Sequence, residues 1–364
     1  MLSLKNIIIS YFKNYEMARF DFGDSKMVGI CGPNGTGKTN LLDAIYCCCI
    51  TKSYFSSTAL SNLTAGINGF RIAAGFVKNN QTNELVCIQR ETGKKEFQLN
   101  GMPNIKKTEL LGQFPVVMIA PDDIEIINGG GEIRRKLVDA LLSQTDPEYL
   151  KQLIIYNKVL QQRNGFLKNA SSPQQQFNTS LLDILDQQLI TPAQVIHQKR
   201  KDFFNIFNPL VANNYAHISG AGEKPTISYQ SPLFAHDMAT LLKNNLEKDR
   251  WQQRTTSGIH RDDIILEMDG QPFKNMASQG QKKSMLFALK LAEYESLQQA
   301  LSVSPLLLLD DVFEKLDGNR MNNLLQTVCN KYDTQVVITD THKERLQDMF
   351  ERLQVEGKII ELGH

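Results

Sequence analysis

The sequence predicts an α/β protein: a nucleotide-binding lobe on a mixed sheet, with a second, mainly helical lobe inserted into it. Three observations carry this reading. Residues 32–39 read Gly-Pro-Asn-Gly-Thr-Gly-Lys-Thr, a complete G-x-x-x-x-G-K-[ST] loop between an apolar run (Met27–Cys31) and a helix-forming one (Asn40–Ile50). Far downstream, Pro305–Asp311 is a continuous apolar strand ending in two carboxylates, as a buried parallel strand would read. Between them, residues 145–215 are rich in Gln and Asn, show helical periodicity and lack strong strand patterns. The boundaries that follow are 1–120 and 236–364 for the two halves of the nucleotide lobe and 121–235 for the insert.

In order along the chain, residues 2–31 read as two strands joined by a turn at Phe12–Tyr15, leading into the loop. Phe70–Phe76, Glu84–Arg90 and Glu96–Leu99, with a turn at Asn100-Gly101, suggest antiparallel pairs, and Phe114–Ile119 a further buried strand closed by Pro121. In the insert, Tyr149–Lys168, Asn178–Leu189 and Pro192–Asn214 are predicted helices, with Pro192 in a first turn and Ala170–Pro173 in a loop. The short Gln tracts read as solvated helix faces and loop. From Thr226 the chain turns back towards the first lobe, giving Ile264–Met268 and Gln271–Phe273 around Asp269-Gly270.

The loop chemistry is specific. Glycines let the backbone wrap closely around phosphates with its N–H groups inward, and the helix N-terminus adds partial positive charge. Gly32, Pro33, Asn34, Gly35, Thr36, Gly37, Lys38, Thr39 and Asn40 are therefore the predicted ATP contacts, with Lys38 at the β/γ-phosphates and Thr39 on Mg²⁺. Two acids at a buried strand end are costly unless they meet a cation or polar ligand. Asp310 is the predicted water-mediated Mg²⁺ ligand and Asp311 the group that polarises the attacking water; otherwise both would cap the helix that follows.

Composition bounds the class. With 364 residues, 41% of them hydrophobic, the chain can bury a sizeable core, and its formal net charge of +1 requires any nucleic-acid contact to come from a local basic patch. No apolar run approaches the ~20 residues of a membrane span, and the N-terminus reads as a strand start, so a cytoplasmic protein is expected. Six cysteines fit a reducing compartment. Cys47-Cys48-Cys49 project about 100° apart on a helix and do not converge on one metal.

Ala277-Ser278-Gln279-Gly280-Gln281-Lys282-Lys283 opens a helix carrying Leu286, Leu289, Ala292 and Leu297. Alone, Ser and Gly before a helix are an ordinary cap. Beside both nucleotide motifs, the segment resembles the signature of ABC-type P-loop ATPases, whose Ser and Gly backbone meet the γ-phosphate held by a second protomer. That resemblance implies that Ser278, Gln279, Gly280 and Gln281 act in trans. Leu316-Asp317 resembles the D-loop, and Thr339-Asp340-Thr341-His342 the switch region, making Asp317 and His342 the candidates there. A transporter subunit would need separate permeases and rarely separates its motifs so widely. The coiled-coil repair ATPases carry arms of hundreds of residues, whereas this insert lacks sustained heptads.

From end to end the chain resembles the RecF family of bacterial recombination mediators. Gly32–Leu42, Arg134-Arg135 with Asp139, Gly258–Asp263, Ser278–Gln281 and Leu306–Val312 carry the resemblance; Ile259 and Gly129-Gly130-Gly131 depart from it where the family often has Pro. It implies ATP-driven homodimerisation on DNA near single-strand gaps, slow ATP hydrolysis, cooperation with RecR and RecO, support of RecA loading, and no membrane partner. Arg134, Arg135, Lys199 and Arg200 are candidate contacts to DNA phosphates; the other reading of these basic runs is solvated helix face. His260-Arg261-Asp262-Asp263 is either a structural ion-pair cluster or a functional one. Phe12, Lys13 and Tyr15 lie where an ABC head contacts adenine, with core the alternative for the two aromatics. No Gln is assigned to the Q-loop. The alternative functions are a soluble ATPase subunit of an ABC transporter, and a DNA-binding protein whose hydrolysis is vestigial; Asp311, shorter than the usual Glu, allows slow turnover.

Overall fold

A computed structural model describes residues 1–363 apart from 57–61, 65, 66, 68, 170–177, 220–222, 224, 313–322, 324, 325 and 330. The chain forms two compact units: Met1–Ile124 with Asn214–Ala221 and Gln279–His364, and Glu125–Asn213 with Gly222–Ser278.

The first unit begins with β1 (Leu2–Phe12) and β2 (Tyr15–Asp21), then β3 (Met27–Cys31) and α1 (Lys38–Ile50). Next come β4 (Phe70–Lys78), β5 (Gln81–Gln89), β6 (Lys95–Leu99), the short α2 (Lys107–Leu110) and β7 (Val116–Ile119). Five strands make an antiparallel sheet in the order β2-β1-β4-β5-β6, whose alternating burial reflects one covered face. Helix α1 carries Leu41, Leu42, Ala44, Ile45 and all three consecutive cysteines into the core. These thiols are free and buried, behaving as small hydrophobes.

The second unit contains α3 (Glu125–Asn128), α4 (Gly131–Thr145), α5 (Pro147–Asn169) and most of the 41-residue α6 (Thr179–Ser219). It continues with β8 (Thr226–Gln230), α7 (Met238–Asn244), α8 (Leu246–Gln252), β9 (Asp263–Met268), β10 (Gln271–Pro272) and α9 (Phe273–Met276). Two expectations change here. Pro192 does not begin a new helix: both it and Pro209 lie inside α6. A proline removes one backbone donor, but Leu182, Leu185, Leu189, Ala193, Ile196, Arg200, Phe204, Phe207 and Val211 form one buried stripe at 3.6-residue spacing through it, and that burial outweighs the lost bond. After the short passage Asn214–Ala221, the chain rejoins the first unit for good at Gln279 rather than 236, because β8 and β9 pair from Thr226↔Glu267 to Gln230↔Asp263 and so tie the two sides of residue 236 together.

The first unit is completed by α10 (Gln279–Leu301), β11 (Leu306–Leu309), β12 (Val336–Asp340), α11 (Lys343–Leu353) and β13 (Gly357–Glu361). Its second sheet, β13-β3-β12-β11-β7, is parallel at every pairing, and β3, β7, β11 and β12 are buried throughout. Gln335, fully buried, ties the two sheets: its Oε1 accepts from the Leu4 N–H at 2.7 Å, and its Nε2 donates to Leu4 O at 3.1 Å and Ser25 O at 3.0 Å. Among the described residues no helix is long and apolar enough to cross a membrane.

Inside the second unit, His260 Nε2 lies 3.0 Å from the carbonyl of Thr255 and Nδ1 2.7 Å from the Tyr156 hydroxyl. A carbonyl only accepts, so Nε2 carries the hydrogen and Nδ1 accepts from the phenol, a neutral imidazole. Burial pushes its pKa down to about 4, with Arg261 and Arg135 adding to the shift and Asp249 opposing it. The unfolded imidazole, with its ordinary pKa near 6.5, takes up a proton first, so this group removes stability as pH falls from about 6.5 towards 4. The urea-unfolding midpoint of the second unit is expected to drop between pH 7 and pH 5.5 by the equivalent of about 1 kcal/mol from this group. The drop should shrink in His260→Gln; an equal drop in both proteins would contradict the assignment.

Candidate nucleotide site

The site is built at the carboxyl edge of the parallel sheet, the usual place for a ligand in such sheets. Register aligns Asp340 with Cys31 and Leu309 with both Ile338 and Ile119, so the segments after β3, β11, β12 and β7 emerge side by side. The loop between β3 and α1 is clasped by the β1–β2 turn: Asn14 Nδ2 donates to Thr36 O at 3.3 Å, Asn40 Nδ2 donates to Asn14 Oδ1 at 2.7 Å, and the Tyr15 hydroxyl donates to Gly37 O at 3.1 Å. Gly37 has φ 105°, and a Cβ there would lie 2.6 Å from Asn14 Nδ2 and 2.8 Å from the Tyr15 oxygen. Only glycine fits. Phe12 is wholly buried and belongs to the core, and Lys13 pairs with Asp43 at 2.5 Å. Lys38 opens α1 and curls over the loop, its Nζ 2.8 Å from Gly32 O and 3.1 Å from Pro33 O.

Thr39 Oγ1 lies 3.1 and 3.0 Å from the two carboxylate oxygens of Asp310. Thr339 Oγ1 donates to Asp310 Oδ1 at 2.9 Å and accepts from the Asp311 N–H at 2.9 Å, which fixes the bend where Asp311 adopts φ 44°. Asp310 is 3% exposed; burial pushes its carboxyl up to about 6, against the hydrogen bonds from Thr339 and Thr39, and the charge of Asp311 adds to the rise. A buried carboxylate made costly by desolvation, with an alcohol oxygen beside it, is a hard-oxygen donor set that fits Mg²⁺. Beside Asp310, a cavity of about 180 Å³ is lined by Ile119, Pro121, Leu286 and Phe287, with Gln279 and Lys283 from the start of α10.

The remaining expected residues fall as follows. His342 sits on the exposed segment after β12; its N–H donates to Asp340 Oδ1 at 2.7 Å and its Nδ1 meets the Thr341 hydroxyl at 2.7 Å. Ser278 immediately precedes α10, whose first residues are Gln279, Gly280 and Gln281. Asp317 lies outside the described residues.

Comparison with known proteins assigns the family. The model for the RecF/RecN/SMC N terminal domain matches residues 3–358. DNA replication and repair protein RecF of Flavobacterium johnsoniae is 40% identical over 99% of this chain and 100% of its own length. The chain belongs to the RecF family. Its fold is similar to a solved structure of the recombination mediator protein RecF-ATPrS in the RecFOR pathway, with TM-score 0.87, 28% identity, and coverage of 100% of this chain and 96% of that one. A RecF-ATP structure from the same pathway gives TM-score 0.85 and 29% identity over 94% of this chain and 92% of that one. The transporter reading finds no support among these relatives.

The candidate DNA-contact residues of this RecF-family chain already have partners within the second unit. Arg134 makes a two-pronged pair with Asp263 at 3.1 Å and donates to Gly129 O at 2.8 Å. Arg135 donates to Asp262 O. Arg200 is 3% exposed and bonds Asp139 and Asp262 at 2.7 Å each, Ile259 O at 2.9 Å and the Tyr149 hydroxyl at 3.1 Å. Arg134 and Arg200 thus turn their forks to carboxylates and carbonyls inside the second unit, and Arg135 gives one N–H to a carbonyl there. Lys199, half-exposed, pairs with Asp146. Asp262 and Asp263 thus each take an arginine as partner, Arg200 and Arg134. Sequence reasoning also missed Asn14 and Asp43, which no local pattern marks; Thr339 it placed in the switch-like segment without the bonds to Asp310 and Asp311. For Arg200 a signal existed, since it occupies a position in the apolar stripe of α6.

Lys38→Met is expected to weaken ATP binding about a hundredfold, the loss of a charge-assisted contact to phosphate, while the melting temperature holds. Isothermal titration calorimetry reads it directly, and near wild-type affinity would contradict the role given to Lys38.

Proposed function

We propose that this chain binds Mg-ATP and uses it to close two copies face to face on DNA, holding duplex near single-strand gaps until hydrolysis releases it. In this role it supports RecA loading together with RecR and RecO. The observation that carries the reading is the meeting of Thr39 with Asp310 at the mouth of the loop, together with membership of a family whose relatives are DNA replication and repair proteins and have been solved with ATP.

In this reading the residues divide the work among them. Backbone N–H groups of 34–39 and the Lys38 ammonium receive the phosphates, and the loop, pinned by Asn14 and Tyr15, needs little reorganisation to do so. Thr39 and Asp310 hold Mg²⁺, which supplies charge neutralisation at the phosphates. Asp311, fixed through its N–H to Thr339, orients and polarises the attacking water. Its short side chain reaches less far than a glutamate, in keeping with slow, DNA-stimulated turnover. Ser278–Gln281 of the second copy completes each site at the γ-phosphate, with His342 on the neighbouring segment after β12.

Sedimentation with ATP and gapped duplex DNA tests this. The wild-type chain is expected to form a DNA-bound dimer only with ATP, and Ser278→Arg, with a bulky cation at the interface, to bind ATP as a monomer. Mixing Ser278→Arg with Lys38→Met leaves one competent composite site per mixed dimer, so partial ATPase activity should return. Normal dimerisation and hydrolysis by Ser278→Arg alone would overturn the composite site.

A further inference from the structure

Tyr54 stands at a junction that none of the steps above uses. Its N–H donates to Asp43 Oδ1 at 2.6 Å. Asp43, wholly buried in α1, also accepts from Ser53 Oγ at 2.6 Å and pairs with Lys13 in the turn that clasps the nucleotide loop. At its other end the Tyr54 hydroxyl donates to Asp123 and receives Lys290 Nζ at 3.2 Å. Asp123 closes back on the residue after β7 by accepting from the Ala120 N–H at 2.8 Å. Lys290 lies about three turns into α10 and also bonds Glu293 at 3.1 Å.

Burial first, then the charge of Asp123, holds the Tyr54 phenol well above its ordinary pKa. The phenol keeps its proton for Asp123 and offers a lone pair to Lys290. Burial works against the Lys290 ammonium, but Glu293 and Asp123 more than compensate, so it stays charged. Each of α1, β7 and α10 also buries apolar side chains, among them Leu41, Val117 and Leu286. A desolvated charged junction adds little stability over an apolar one, and its bonds are directional, each made at one relative placement of its partners.

We propose that the Tyr54–Asp123–Lys290 junction is a positioning device: it sets the signature helix α10 of a chain against that chain's own nucleotide-loop helix α1, so that the start of α10 meets the nucleotide of a second copy. The proposal rests on the composite site described above. None of the three side chains contacts the nucleotide in that account, so their effect appears in turnover and not in affinity. Because the signature serves the opposite copy, a junction defect should be felt in the partner's site.

Tyr54→Phe removes only the hydroxyl and leaves the ring to pack edge-on against Tyr46 and Phe55. Lys290→Met removes the charge at similar length. In each variant ATP affinity of the chain, measured by calorimetry, should stay within about twofold, while kcat falls tenfold to about a hundredfold with KM unchanged, the cost of a displaced reacting group. Assays run well below each variant's melting temperature separate this from instability. Mixtures then locate the defect. Tyr54→Phe mixed with Lys38→Met pairs an intact loop with an intact signature and should recover turnover, whereas Tyr54→Phe mixed with Ser278→Arg should not. Wild-type kcat in both single variants, a loss of ATP affinity matching the loss of kcat, or failure of the Lys38→Met mixture to rescue would overturn the proposal. The Lys38→Met with Ser278→Arg mixture is the reference: if it recovers no activity, the composite site itself is wrong and the junction's role falls with it.

Discussion

The contact between the Thr39 hydroxyl and the Asp310 carboxylate joins positions 271 residues apart, and the rest of the first unit is arranged to make it. It requires β3 and β11 to end at the same edge, which the parallel pairing of β12 with both secures. It requires α1 to start where β3 stops, which the glycine-rich loop permits. And it requires Asp310 to be desolvated, which the four buried leucines of β11 ensure. Desolvation raises the cost of the bare carboxylate and so strengthens its attraction to a divalent cation.

Around that contact, polar side chains with distant partners do the orienting. Gln335 ties β1 to the parallel sheet through both ends of its amide, and Thr339 serves Asp310 and Asp311 with one hydroxyl. In the second unit the same device recurs with charge: Arg163 pairs with Asp186 and Asp249 at 2.6 Å, and Arg200 with Asp139 and Asp262. Buried ion pairs of this kind give little net stability relative to apolar packing, yet losing one partner strands a charge. Arg163 and Arg200 thus help to hold the fold of the second unit.

What the sequence made legible follows from how local each signal is. The loop at 32–39, the apolar run of β11, the hairpin at Phe12–Tyr15 and the Asp269-Gly270 turn each depend on neighbours within a few residues, and each stands where it was expected. The unbroken helix α6 was legible too, in the 3.6-residue spacing of its apolar stripe, but Pro192 argued locally for a break and the longer-range pattern prevailed. The same stripe contains Arg200, and a cation at a core position signals an internal partner. Arg134 gave no such hint, because its partner Asp263 lies 129 positions away. Asn14, Asp43 and Tyr54 were hidden for the same reason: each acts through a contact that exists only once the strands and α1 have packed.

The central claim is that Thr39 and Asp310 work as one unit in holding the metal of Mg-ATP. A double-mutant cycle on ATP affinity, measured by calorimetry with Mg²⁺ and again with EDTA, tests it most directly. Thr39→Val and Asp310→Asn should each remove most of the Mg²⁺-dependent gain in affinity, the double variant should lose little more than either alone, and all four proteins should bind alike in EDTA. Losses that simply add, or that persist unchanged in EDTA, would contradict the account.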